Sequence, residues 1–198
     1  TASVGGVGKL GNNGSRGFCL GMTNTGAITF FIAPTASSLA STFYSHTPDN
    51  NWHHVAGVFT PSTSLEIYFD GQRVKNTPTS ISSQYNASNN LQIAARGDNA
   101  GFFDGQISNV SIFSSSLSSS NIITLYNNGS PAADISSLNP VSWWKLNAQD
   151  TFDGSNWTIK DYAGSNDGTS SGMDSANLVQ SELQHTSGFS PYALRLDG

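Results

Sequence analysis

The sequence predicts an all-β protein built as an antiparallel sandwich, and three observations carry that prediction. Only 11% of the 198 residues are charged, while Ser, Thr, Asn and Gly recur throughout. That composition favours many short strands and turns over long surface helices. Phe18, Leu20 and Met22 alternate with small or polar residues, Asn24-Thr25-Gly26 turns, and Ile28, Phe30 and Ile32 alternate again, the pattern of an antiparallel pair with one buried face. Leu65, Ile67 and Phe69 then alternate with Glu66, Tyr68 and Asp70 and run into Asp70-Gly71, a pair suited to the positive φ angles of a tight hairpin.

In chain order, the pair around Asn24-Thr25-Gly26 is followed by a looser segment near Leu39, Phe43 and Tyr44. Next come a strand from Trp52 to Phe59, a turn, and the strand from Leu65 that turns at Asp70-Gly71 towards Val74. A polar stretch covers 76–90, and Leu91-Gln92-Ile93-Ala94 is a short apolar run. Turns at this spacing suit a sandwich. Gly105 to Phe113 reads as a strand whose alternation slips phase between Ile107 and Val110; a bulge or a strand covered on both faces would produce that slip. One short helix is expected near 118–128, with Ser118 as N-cap, an apolar stripe of Ile122, Leu125 and Tyr126, and Gly129 at the left-handed C′ position. From Ser130 the texture changes: Pro131, a brief turn or helix from Asp134 to Leu138, Pro140, and then Val141-Ser142-Trp143-Trp144-Lys145-Leu146. We divide the chain into a sandwich over 1–130, a linker over 131–142, and a joint leading into a following or strand-completing module over 143–198.

The Trp52-His53-His54-Val55-Ala56 strand leading to Tyr68-Phe69-Asp70-Gly71 resembles two strands of a laminin-G-type module. Residues 105–129 are similar to the closing strand and short helix of the concanavalin A-like and pentraxin superfamily. The resemblance implies a jelly-roll β-sandwich. Lys160 to Thr169 and Tyr192 to Gly198 resemble the approach to, and the first strand of, such a module, so the order is shifted. An excerpt from a tandem array is the favoured reading, with circular permutation and strand exchange between copies as alternatives. The Tyr192 to Leu196 strand would then fill an edge left by missing first strands. The joint Pro140-Val141-Ser142-Trp143-Trp144-Lys145-Leu146 is similar to joints between such modules in structural proteins of marine bacteriophages.

Composition excludes some function classes. Net charge is −5 with eight Lys and Arg and no basic stripe, so nucleic acid is not an expected partner. No stretch is long and apolar enough to span a bilayer, and no membrane insertion is expected. Cys19 is the only cysteine; it reads as a buried or half-buried small hydrophobe, because no neighbouring Lys, Arg or His in sequence would activate it. Glucanases on this fold carry a Glu-x-Asp-x-x-Glu strand, because glycoside hydrolysis needs two acids across one bond. Here the glutamates are Glu66 and Glu182 and the motif does not occur, so no enzyme is expected.

Candidate binding residues fall in two groups. Asp98, Asn99 and Asp104 bracket the loop before the closing strand, where the resemblance implies calcium ligands, making Ca²⁺ the one candidate cofactor. Trp143, Trp144 and Trp157 are large aromatics of the kind that stack on sugar faces, although adjacent Trp143 and Trp144 fit better as anchors of the joint. His53 and His54, as successive strand residues, face opposite sides and do not chelate one ion together, and His46 and His185 read as surface residues. The expected role is therefore a non-catalytic structural or adhesive module of a phage virion or similar extracellular assembly. Its expected partners are other copies, neighbouring modules and host-surface glycans. The alternative is a secreted glycan-binding lectin, with calcium assisting.

Overall fold

The computed structural model describes residues 3–10, 16–96, 101–181, 183 and 192–196. It is built of antiparallel strands with one short helix and divides into two compact units, 1–104 and 105–197.

The first unit is a two-sheet sandwich. One sheet holds β1 (Ser3–Leu10), β2 (Arg16–Thr23), β3 (Ile28–Thr35), β4 (Ser38–Tyr44) and, later in the chain, β8 (Gln92–Ile93), in the order β4-β3-β2-β1-β8. The other is the meander β5 (Val55–Thr60), β6 (Ser64–Phe69) and β7 (Gln72–Pro78). The alternation in β2 and β3 is realised as register: Phe18 faces Ile32, Leu20 faces Phe30 and Met22 faces Ile28. Ile28, Phe30 and Ile32 then pack against Leu65 and Ile67 of β6, with Phe18, Leu20, Met22, Val55, Phe59 and Phe69 around them. Gly57 of β5 lets the sheets come this close, since a Cβ there would stand 2.5 Å from the Phe30 ring.

Turn chemistry is as the sequence predicts. Gly26 has φ +85°, and the Thr23 and Ala27 backbones bond across that turn. Asp70 and Gly71 take φ of 48° and 76° to join β6 to β7, the double positive φ of a two-residue hairpin. Two expectations change, and a further strand is present. The strand near Trp52 begins only at Val55, because Asp70 accepts the His54 amide N–H where a ladder bond would otherwise form. The looser segment at Leu39 to Tyr44 is strand β4, whose exposed face carries the apolar Leu39 and Phe43 and so conceals its alternation. β1 shows no apolar alternation in the sequence because its glycines break the pattern; Gly6 and Gly8 lie so close to β2 that a Cβ on either would run into the β2 backbone. Cys19 is buried as expected, and burial, opposed only by Arg96, pushes its thiol up to about 11.

The second unit holds β9 (Gly105–Ile107), β10 (Val110–Ile112), α1 (Ser119–Tyr126), β11 (Ser142–Trp144), β12 (Thr151–Phe152), β13 (Trp157–Ile159), β14 (Gly168–Thr169), β15 (Leu178–Gln180) and β16 (Tyr192–Leu196). The phase slip after Ile107 is a break between two strands. Asn109 takes φ 54°, so β9 pairs with β16 while β10 pairs with β11. β16 is thus seated between β15 and β9 of its own chain. The predicted helix forms with Ser118 accepting the Asn121 N–H at 3.2 Å and Ile122 buried. Its C-cap is the left-handed Asn127, and positive φ continues through Asn128 to the expected Gly129, at 56° and 84°; Asn tolerates that region better than other non-glycine residues. The expected turn before Pro140 is a 3-10 turn over Ser136–Leu138.

Candidate functional site

The hairpin between β6 and β7 brings four polar side chains of the first unit together. Asp70, held in a left-handed conformation at the turn, directs one carboxylate oxygen to the amide N–H of His54 at 2.9 Å and the other to Nδ1 of His53 at 2.8 Å. The opposite ring nitrogen, Nε2 of His53, lies 3.0 Å from Oδ1 of Asp49. Asp49 is itself oriented by Asn51, whose backbone N–H and side-chain amide donate to its two oxygens at 3.0 and 2.8 Å. His46 completes the group. Its ring meets His53 edge-on with centroids 4.9 Å apart, and both rings pack on Phe69, at 4.7 and 4.4 Å.

The loop carrying His46 is seated closely. A Cβ on Gly26 would stand 2.7 Å from the His46 carbonyl oxygen and 2.4 Å from the Pro48 ring, so the β2–β3 turn and the 46–49 loop share one surface. Burial disfavours the charged form of His53, but the carboxylates of Asp70 and Asp49 outweigh it and the ring is held above its ordinary pKa. Asp49 is held well below the carboxylate range by Asn51 and then by His53. His54 goes the other way, its pKa lowered by burial. One ligand atom from each of His46, Asp49 and His53 lies within 4.8 Å of the other two. His54 is not one of these three, and His46 is half-buried against Phe69 rather than a plain surface residue. Sequence reasoning missed this group because its members come from a loop, a strand approach and a hairpin, brought together only by the meander.

Of the calcium candidates, Asp98 and Asn99 lie outside the described residues, as does His185, and Asp104 is exposed. The three tryptophans are buried in the second unit at 5, 5 and 4% exposure for Trp143, Trp144 and Trp157. Each indole N–H has a partner in that unit: Asn109 Oδ1 for Trp143, and the carbonyls of Asn166 and Asp174 for Trp144 and Trp157. With ring and N–H both engaged, these side chains present no open face to a sugar, and the reading of them as candidate sugar platforms gives way to packing.

Around them Asp161 acts as a hub. One of its oxygens accepts the backbone N–H groups of Trp143, Ala163 and Gly164 at 2.8, 3.0 and 3.1 Å, and the other accepts that of Asn166 at 3.1 Å. Burial alone would raise its pKa, yet these donors outweigh it and leave the carboxyl below its ordinary value. Lys145 lies 4.3 and 4.5 Å from the ring centroids of Trp143 and Tyr162, a cation over two aromatic rings.

A laminin-G-type family model, described as the concanavalin A-like lectin/glucanases superfamily, matches residues 2–123. Neither the curated proteins nor the solved structures yield a match.

Proposed function

Because the chain belongs to the concanavalin A-like lectin/glucanases superfamily, we propose that it uses this fold for contact rather than turnover. It serves as a structural or adhesive module of an extracellular assembly, a phage virion surface in the leading reading. Its partners are other copies or neighbouring modules, and host-surface glycans.

The observation that carries the reading is the state of the acids. Retaining glycoside hydrolysis needs two carboxyl groups about 5 Å apart, one of them free to attack. Glu66, on β6, instead accepts hydrogen bonds from the hydroxyls of Ser64 and Tyr68 and the guanidinium of Arg73, at 3.1, 3.0 and 3.1 Å. It serves as a brace between strands, and no Glu-x-Asp-x-x-Glu strand occurs in the sequence. The virion setting rests on the joint at 140–146, which resembles joints in structural proteins of marine bacteriophages.

Two measurements test this. Incubation with a glycan panel, with and without chelator, is expected to give retention on glycans and no release of new reducing ends. A density map of native particles carrying the protein is expected to show the sandwich at their surface. Release of new reducing ends overturns the contact reading. A chain that is absent from any particle surface but binds glycans reversibly overturns the virion setting and leaves a secreted lectin.

A further inference from the structure

The orientation of His53 poses a problem in proton accounting. Its Nδ1 lies 2.8 Å from one carboxylate, Asp70, and its Nε2 lies 3.0 Å from another, Asp49. An ionised carboxylate only accepts hydrogen bonds, and a neutral imidazole carries one N–H. The neutral ring satisfies one acid and directs a lone pair at the other, whereas the imidazolium donates to both. Asp70 sits in the hairpin turn, and its second oxygen takes the His54 amide. When the ring is neutral with its proton on Nδ1, Nε2 and Asp49 Oδ1 are two lone-pair donors 3.0 Å apart, and a metal ion takes the place of the proton that otherwise joins them.

A carboxylate that fixes the far nitrogen of an imidazole is also what supports histidine ligands around metal ions, because it sets the tautomer and raises the basicity of the ligating nitrogen. His46 adds a second imidazole beside this pair. We propose that His46, Asp49 and His53 form a surface site for a borderline transition-metal cation of the Zn²⁺ class, with Asp70 as the positioning residue behind His53.

Ligand chemistry selects this class. Two imidazoles and one carboxylate suit Zn²⁺ and its first-row neighbours, whereas Ca²⁺ and Mg²⁺ take oxygen donors. The spacing is close to what coordination requires. Ligand atoms at about 2.0–2.1 Å from zinc stand roughly 3.3 Å apart in a tetrahedron, so Nε2 of His53 and Oδ1 of Asp49 at 3.0 Å are already near that distance. The widest separation in the group, within 4.8 Å, has to close by up to about 1.5 Å, which a rotation of the half-buried His46 ring supplies. A fourth position remains for water. The site is independent of the contact function proposed above, and its test does not depend on any glycan.

The test titrates the full chain, stripped with chelator, with ZnCl₂ by calorimetry and with Co²⁺ by visible absorption. One equivalent is expected, with Co²⁺ bands of a four-coordinate site and new shifts at the ring nitrogens of His46 and His53 in ¹⁵N spectra. His46→Ala and Asp49→Asn should each weaken Zn²⁺ binding at least tenfold, and Asp70→Asn should weaken it less while leaving one equivalent. Thermal unfolding without metal identifies any variant that fails to fold, and His46→Gln then replaces it. Absence of Zn²⁺ binding overturns the site, as does binding unchanged in both His46→Ala and Asp49→Asn. Calcium binding as tight as zinc binding, with His46→Ala inert, overturns the assigned chemistry.

Discussion

Asp161 and Asp49 are both aspartates beside aromatic rings, and they differ in how their oxygens are used. Asp161 is buried and encircled by backbone N–H groups from Trp143, Ala163, Gly164 and Asn166. It closes a loop, holds the β11 approach to 161–166, and spends both oxygens on backbone donors. Asp49 is exposed, takes two bonds from Asn51, and directs an oxygen at a ring nitrogen that the hairpin has turned towards it. The two clusters show that charge and residue type do not separate a structural acid from a binding one. What separates them is whether the donors around the carboxylate saturate it, and whether the next group along offers a proton or a lone pair.

The largest effect that would break this contrast is expected at Asp161→Ala. Four backbone donors lose their acceptor inside the second unit, and we expect roughly 3–5 kcal/mol of destabilisation, read as the chemical-denaturation midpoint and as faster hydrogen exchange at the amides of residues 143, 163, 164 and 166. A loss below about 1 kcal/mol would mean that water replaces the carboxylate easily. The same residue gives a pH dependence with a definite sign. Its folded pKa lies below the ordinary carboxylate value, so its stabilisation is present above the unfolded value near ~3.9 and is lost as pH falls through the folded pKa. Asp161→Asn should flatten the acid limb of the stability profile in that window.

Next in size is Ile67→Ala in the first unit. Ile67 is fully buried between the sheets, and about 3 kcal/mol is expected from lost burial and the cavity left behind. Gly57→Ala should cost roughly 2 kcal/mol by overpacking, because its methyl would strike the Phe30 ring; pairing it with Phe30→Leu should recover part of that loss if the contact is the cause. Ser118→Ala should remove about 1 kcal/mol of helix capping. Smallest of all, Asp49→Asn should leave the metal-free unfolding midpoint where it is, since its side chain is exposed and its bonds to Asn51 are local. A clear shift there would make Asp49 as structural as Asp161 and remove the contrast.

The legible parts of the fold share a physical basis. The β2–β3 pair, the β6–β7 hairpin and α1 announce themselves because their signals are local: a period of two, an Asp-Gly turn, a serine cap with an apolar stripe. β4 and β1 do not. At β4 the outward-facing residues include Leu39 and Phe43, so apolar residues sit on the wrong face for the pattern. At β1 the requirement is close approach to β2, met by removing side chains altogether, which leaves no periodicity to read. The split between β9 and β10 is a further case, since it turns on the φ of Asn109, and an Asn inside an apolar run gives no warning of it.

From the amino-acid order alone come the all-β class, the family resemblance carried by Trp52 to Gly71 and by 105–129, the inert burial of Cys19, and the lack of a glucanase acid strand. Each is a matter of local period, turn residue or composition, and so survives without knowledge of what packs where. Only the tertiary structure decided the partner of β16, the burial of all three candidate tryptophans, and the meeting of His46, Asp49, His53 and Asp70. These depend on which distant segments share a sheet or a surface. In particular, Asp70 reaches His53 because β5 and β6 pair with Val55 opposite Phe69, and that register follows from the whole buried face of the sheet rather than from any neighbouring residue.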